Sequence, residues 1–381
     1  MRPATRLVHH PGCVCPHTGA VSTPIYQVST FKQDGVGTNR GYDYSRSENP
    51  TREVLEDYIA DLAGGEYGYA FASGMAAISA CLMLLDAGDH IIATEGLYGG
   101  TYRVLTRVFA DLDIASSFVD TGDPDAVSHA FRENTRAVFI ETPSNPRMRI
   151  TDIAAVAEIA HARDALVMVD NTFMSPWLQR PLECGADISI HSGTKFLGGH
   201  SDLIAGLAVT ASDRLSRRIK TVQNAVGAVL PPFDSWLLMR GMKTLSVRLA
   251  RSQDSARRIA EWLAERPDVR QVLYPGIGTL AGDEVHERQA DGPGAVLSFA
   301  VGDGVCARTL VESVSVWTLA VSLGAVESII TLPARMTHLP YPTGYRESLG
   351  IDDSLVRLSV GIEDPDDLIE DLDEAFEKAT D

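Results

Sequence analysis

Ser192-Gly193-Thr194-Lys195-Phe196-Leu197-Gly198-Gly199-His200-Ser201-Asp202 lies just past the largely apolar run Ala186–Ile190. The run reads as a strand, and the stretch after it as the turn leaving its carboxyl end. A lysine set among small hydroxyl residues and glycines at such a place is an unusual choice for a surface. Its amine would stand at the mouth of a strand, beside groups that can hold a phosphate. A Schiff-base lysine needs that environment, a nucleophilic amine next to a cofactor anchor. The plainer alternative is a solvated lysine in a glycine-rich turn.

Working outward, short apolar runs recur at His90–Ala93, Ala137–Ile140, Ala165–Val169 and Ile188–His191, with helical spacing at Glu53–Leu62, Ala76–Leu85 and Ile153–Arg163 between and before them. This alternation predicts an α/β fold with a large, mostly parallel sheet covered by helices on both faces. Residues 1–50 show no helical period and are rich in Gly, Pro, Thr and His, so an extended arm without its own core is expected there, reaching onto a neighbouring subunit. Residues 51–232 form the predicted sheet domain. Past Pro231-Pro232 a long helical stretch is expected from Ser235 to about Glu265, then β-like segments at Ala295–Val301 and Val356–Val360. An acidic, solvated helix from Glu363 to Asp381 closes a smaller α+β domain over 233–381.

The bulk numbers exclude several classes. At 381 residues the chain is long enough for roughly two to three domains. With 45% hydrophobic and 22% charged residues it has the composition of a globular protein. A net charge of −18, from 33 basic and 51 acidic residues, repels phosphate backbones and anionic lipid, so neither nucleic acid nor membrane is an expected partner. Cys13 and Cys15 have no second pair to complete a metal site, so no metal is expected, and five cysteines fit free thiols in a reducing cytoplasm. No apolar signal segment follows Met1–Arg6, and no stretch reaches the length of a membrane span.

In parallel sheets ligands bind beyond the carboxyl ends of the strands. Asp170, Glu141 and Lys195 all fall there, although a strand-end carboxylate also serves as an ordinary helix cap. Ser73-Gly74-Met75-Ala76-Ala77 joins the segment Tyr67–Ala72 to a helix, and backbone N–H groups at such a start favour a phosphate. Many helices begin with Ser-Gly merely as a cap. Together with Ser192 and Thr194, however, it makes a two-sided phosphate cup beside Lys195. Asp170 could then pair with a pyridinium nitrogen, which is the tuning that pyridoxal phosphate requires. A nucleotide is the rival occupant, but neither Gly-x-x-x-x-Gly-Lys-Ser/Thr nor Gly-x-Gly-x-x-Gly is present.

Over nearly its whole length the chain resembles the pyridoxal-phosphate enzymes of transsulfuration, the group of cystathionine γ-synthase, the cystathionine lyases and methionine γ-lyase. The matching segments are Tyr42-Asp43-Tyr44-Ser45-Arg46, Asn49-Pro50-Thr51-Arg52, Ala72–Ala76, Leu97–Arg103, Glu141–Pro146, Val169–Phe173, Ser192–Asp202, Ser322-Leu323-Gly324 and Val356–Gly361. The resemblance implies the aspartate-aminotransferase-like fold (fold type I), pyridoxal 5′-phosphate as cofactor, and a homotetramer built from close dimers. It implies Lys195 as the Schiff-base residue and Asp170 as the partner of the ring nitrogen. Tyr98 would stack on the ring and assist as acid or base, and Gly74, Met75, Ser192 and Thr194 would hold the phosphate. Tyr44 and Arg46 would reach the phosphate of the neighbouring subunit's cofactor. Arg357, helped by Ser322 and Asn145, would fork onto the substrate α-carboxylate.

The choice within the group rests on the far end of the substrate. Asp43 and Glu327 match acidic positions that face the distal ammonium of cystathionine, and Arg103 matches one that can meet a distal carboxylate; the plainer alternative for Asp43 and Glu327 is a pair of solvated charges. Methionine γ-lyases tend to carry cysteine where this chain has Gly100. A cystathionine γ-lyase is therefore the expected activity, with side activity on homocysteine and related thioethers. Cystathionine γ-synthase is the nearest alternative, followed by methionine γ-lyase and cystathionine β-lyase. Glu48 and Ala325 depart from the family pattern, each standing where glycine is usual.

Overall fold

The computed structural model describes residues 1–380. Seven strands make the larger sheet: β1 (Tyr67–Phe71), β2 (His90–Thr94), β3 (Ala115–Val119), β4 (Thr135–Glu141), β5 (Leu166–Asp170), β6 (Ile188–Ser192) and β7 (Gly206–Thr210). Their order is β1-β7-β6-β5-β4-β2-β3. Neighbouring strands from β6 across to β3 pair parallel, whereas β7 is antiparallel to both β1 and β6. A second sheet holds β8 (Val269–Leu273), β9 (Val296–Val301), β10 (Thr318–Leu319), β11 (Ile329–Thr331) and β12 (Leu355–Ser359), in the order β10-β11-β12-β9-β8. The α/β architecture is thus a large, mostly parallel sheet plus a smaller, mostly antiparallel one.

The central strands carry apolar side chains on both faces. Val138, Phe139 and Ile140 of β4 and Val167, Met168 and Val169 of β5 have no exposed surface, as expected of parallel strands sandwiched by helices. Phe139 and Met168 belong to one core cluster, and Val138, Ile140, Val167 and Val169 to the opposite one. Alternation along each strand therefore decides which helix layer a residue meets.

Four expectations need correction. The N-terminal stretch is not wholly extended: Pro3–Val8 is helical and Pro11–Cys13 is a 3-10 turn. Leu7 and Cys13 are buried in the main core, and the Tyr58 hydroxyl donates to the Leu7 carbonyl. So few apolar residues give no readable period, yet they suffice to dock the segment. The expected long helical stretch is two helices, Pro232–Met242 and Leu245–Ala264, and Gly241, a weak helix former, lies at the junction. Strands β3 and β7 lie where no strand was expected. The C-terminal helix, Pro365–Ala379, is amphipathic: it buries Leu368, Leu372, Ala375 and Phe376 against the second sheet, while Asp381 lies outside the described residues.

The Asn49-Pro50-Thr51-Arg52 motif opens the helix Pro50–Ala63 and fastens the preceding arm to it. Asn49 caps the helix by accepting from the N–H groups of Thr51 and Arg52, and it donates to the Tyr26 carbonyl at 3.0 Å. The Thr51 hydroxyl donates to the Pro24 carbonyl at 2.8 Å. Arg52, 1% exposed, donates to the carbonyls of Ser45 (2.8 Å), Arg46 (3.2 Å) and Ser47 (3.2 Å). Beyond these ties, Tyr44 and Arg46 project outward, with the guanidinium 5.6 Å from the Tyr44 ring centroid. The family departure Glu48 lies 3.7 Å from Lys220. Glu48 is exposed and Lys220 partly so, and at that distance the pair contributes little.

Candidate active site

Glu141, Asp170 and Ser192 are the last residues of β4, β5 and β6, so parallel pairing brings them to one edge of the large sheet. Lys195 follows in the next turn. Ser73 caps the helix Gly74–Leu82 at the same edge, its hydroxyl accepting from Ala76 N–H at 3.1 Å. The reversed strand β7 starts there too, at Gly206, where an added Cβ would lie 2.0 Å from the Ser73 carbonyl oxygen. Only glycine lets the strand come this close to the helix start.

Ser73, Gly74, Glu141, Asp170, Ser192 and Lys195, with Arg357, Ser322 and Thr337 from the second half of the chain, line a cavity of about 280 Å³. Of the residues picked out from sequence, it gathers Gly74, Met75, Tyr98, Asn145, Asp170, Ser192, Thr194, Lys195, Ser322 and Arg357. Tyr44, Arg46, Asp43, Arg103 and Glu327 are exposed and do not line it. Glu141, Thr172, Phe173 and Thr337 line it without having been singled out as binding residues. Glu141 was visible as a strand-end carboxylate, and Thr172 and Phe173 sit in a matching motif; nothing local marks Thr337.

Lys195 donates through Nζ to Ser322 Oγ at 2.6 Å. Burial, and secondarily the Arg357 charge, brings its amine down to about 8, so the neutral, nucleophilic form is within reach near neutral pH. Arg357 is 1% exposed and donates to Asn145 Oδ1 (2.9 Å), the Ser322 carbonyl (2.7 Å) and Thr331 Oγ1 (3.3 Å). Its Nε has no partner among the described residues. A buried guanidinium with a free N–H invites an anionic ligand such as a carboxylate.

Asp170 Oδ1 accepts from the N–H (3.1 Å) and hydroxyl (2.5 Å) of Thr172. The same hydroxyl oxygen accepts from Ser192 N–H at 2.8 Å, tying the ends of β5 and β6 together. Burial raises Asp170, and it raises Glu141 as well, the Asp170 carboxylate adding to the effect on Glu141. The two are register partners on adjacent strands. A cationic group between Asp170 and the cavity would relieve both.

Pyridoxal phosphate meets these features. The N–H groups of Gly74 and Met75, at the start of a nine-residue helix, have no acceptor among the described residues. They lie close to Ser192, whose Oγ would be 3.0 Å from a Cβ on Gly74. Those donors suit the phosphate. Asp170 suits a protonated ring nitrogen, Tyr98, 40% exposed, offers a free aromatic face, and Lys195 suits an aldehyde. Thr194 fits less directly, because its hydroxyl accepts from Ala205 N–H at 3.0 Å and donates to the Ala205 carbonyl at 3.3 Å.

Comparison with known proteins agrees. The sequence model of the family described as "Cys/Met metabolism PLP-dependent enzyme" matches residues 4–377. A cystathionine gamma-lyase of Bacillus subtilis is 50% identical over 377 residues, covering 99% of this chain and 100% of the relative. A cystathionine beta-lyase of Lactococcus lactis subsp. cremoris is 48% identical over 374 residues, 98% of each chain. The solved structure of cystathionine gamma synthase from Xanthomonas oryzae pv. oryzae, in complex with cystathionine, superposes with a TM-score of 0.96 at 41% identity, covering 100% of this chain and 98% of that one. The three names differ in activity. This chain has the fold type I architecture and belongs to the Cys/Met metabolism family of pyridoxal-phosphate-dependent enzymes.

Proposed function

We propose that this enzyme is a cystathionine γ-lyase-type carbon–sulfur lyase, cleaving cystathionine to cysteine, 2-oxobutanoate and ammonia. The observation that carries the reading is one cavity lined both by a largely buried, readily neutral lysine and by a buried arginine whose Nε–H has no partner among the described residues. When bound, pyridoxal phosphate supplies an aldehyde that takes up the substrate amine and a ring that accepts an electron pair. Arg357 and Asn145 bind the α-carboxylate, fixing which bond of the amino acid faces Lys195. The Lys195 amine takes the proton from the substrate Cα, and Ser322 orients it for that task. Asp170 keeps the ring nitrogen protonated, and Tyr98 covers the ring face. Phe173, Val321 and Ile204 give the cavity an apolar wall suited to a thioether.

Glu327, Asp43 and Arg103 are the candidates for the substrate's distal amino-acid end. Glu327 accepts from the Ser201 hydroxyl at 3.3 Å, beside the loop that follows Lys195. Tyr44 and Arg46 act on a neighbouring subunit's phosphate within a homotetramer, which accounts for an arm tied down at its base and bare at its tip. The 50% identity to a γ-lyase supports the γ reading; the β-lyase relative and the γ-synthase fold neighbour support the two competing outcomes. Mass spectrometry of the products separates all three. Cystathionine alone gives cysteine and 2-oxobutanoate by γ-elimination, or homocysteine and pyruvate by β-elimination. A γ-synthase would instead form cystathionine from an O-acylhomoserine and cysteine. Pyruvate as the main oxo acid would overturn the proposal, as would efficient synthesis with negligible cleavage.

A further inference from the structure

We infer that Glu141 is a positioning residue that holds Tyr98 and the Asn145–Arg357 pair in a single frame. Its Oε2 accepts from Tyr98 N–H at 2.9 Å and its Oε1 from Asn145 N–H at 2.8 Å. One carboxylate thus joins the segment that presents the aromatic ring to the turn that presents the carboxylate-binding pair. The frame continues on both sides. The Asn145 carbonyl accepts from His338 Nε2 at 3.0 Å, the Pro146 carbonyl accepts from the Ser298 hydroxyl at 2.7 Å, and Asn145 Oδ1 is left to hold Arg357. On the Tyr98 side, the Leu97 carbonyl accepts from the Tyr341 hydroxyl at 2.9 Å, and Tyr341 stacks on Tyr102 with ring centroids 3.9 Å apart.

The choice of a carboxylate is informative, because it is a costly one. Glu141 is 5% exposed and stands beside a second buried carboxylate, Asp170, so desolvation and like charge both oppose it. A glutamine in its place would offer one acceptor and turn an amide N–H toward the other backbone N–H. Only a group with two acceptor oxygens satisfies both peptides. The role is therefore a bridge between two backbone segments, not proton transfer to substrate.

The inference rests on Tyr98 stacking on the cofactor and Arg357 binding the α-carboxylate. The test uses the holoenzymes of wild type, Glu141→Gln, Glu141→Asp and Arg357→Leu. Two competitive ligands are titrated, L-alanine and L-alaninamide, which differ only in the carboxylate. Losing one charge-assisted hydrogen bond in the frame should weaken alanine about tenfold in Glu141→Gln while changing alaninamide by about twofold or less. The visible cofactor band should shift in the same variant, reporting the released Tyr98. A general loss of structure would weaken both ligands alike, so the carboxylate–amide ratio separates positioning from damage. If the Gln variant does not fold, Glu141→Asp is read by the same ratio, its carboxylate being one methylene too short to span both peptides. An unchanged ratio in a folded Glu141 variant, with Arg357→Leu abolishing it, overturns the inference and leaves the Arg357 reading intact. An unchanged ratio in Arg357→Leu overturns the Arg357 reading, and this inference with it.

Discussion

Replacing Lys195 by methionine in the cofactor-free protein should stabilise it at neutral pH and destabilise it at high pH. Folding takes the lysine amine from 10.5 to about 8. Below about pH 8 the folded protein must carry a buried ammonium that the unfolded chain carries in water, at a cost of about 3 kcal/mol. Between about pH 8 and 10.5 the unfolded chain binds more proton than the folded one, so stability rises with pH and the penalty is gone above that window. Methionine fills a similar volume with no charge but loses the 2.6 Å bond to Ser322, worth about 1 kcal/mol. The net expectation is a variant more stable by about 2 kcal/mol at pH 7 and less stable by about 1 kcal/mol near pH 11. Urea unfolding of the two stripped proteins across that range reads the difference, and the titrations of groups that do not interact with Lys195 cancel in it. The same environment raises the neutral fraction of the amine at pH 7 from about 0.03% to about 9%, so instability and reactivity have one cause. A pH-independent difference, or a variant less stable at pH 7, would refute the argument that Lys195 is strained by burial.

Two further outcomes follow from close contacts around that lysine. A Cβ on Gly100 would lie 2.4 Å from Tyr98 Cε1 and 3.0 Å from Met75 Sδ, so Gly100→Ala should displace the ring; we expect kcat/KM to fall about tenfold and the cofactor's visible band to move, with little change in thermal midpoint. Arg248 is buried and donates to the carbonyls of Phe196 (2.8 Å) and Gly241 (2.9 Å), so Arg248→Met should leave buried carbonyls unpaired behind the lysine loop, costing about 3 kcal/mol by differential scanning calorimetry of the holoenzyme.

What could be read from the sequence was whatever depends on position relative to a sheet edge. Asp170 and Lys195 were placed correctly because short apolar runs mark strand ends and parallel strands deliver their ends to one side. The same logic exposed the Ser73-Gly74 helix start. It did not reach Glu141's partners, because hydrogen bonds to N–H groups 43 residues before it and 4 after leave no trace in composition or spacing. β3 was missed because Ala115-Ser116-Ser117-Phe118-Val119 is an edge strand, with none of its residues fully buried and no apolar run to betray it. The division at Lys243-Thr244 had a signal, Gly241, outweighed by helix formers on both sides. Asp43, Arg103 and Glu327 show the firmest limit. Their charges can be read from the sequence, but all three are exposed and lie outside the cavity lining, so sequence position alone does not bring them to the substrate.

Ser322 shows why neither half of the chain makes the site alone. It is not glycine, yet its φ is +94°, a region that costs an L-residue roughly 1–2 kcal/mol. In that conformation its hydroxyl accepts from Lys195, and its carbonyl accepts from Arg357 at 2.7 Å. Two residues on, Gly324 N–H donates to Ser359 Oγ at 2.8 Å, anchoring the segment to β12, the strand that carries Arg357. A relaxed backbone would turn one of the two Ser322 groups away, and either the amine or the guanidinium would lose its orienting partner. The strain at Ser322 is thus the local cost of making one residue the hinge pin between the lysine on the large sheet's edge and the arginine on the small sheet. A glycine at 322 would remove the strain and keep the carbonyl, but it would leave the lysine amine without its acceptor.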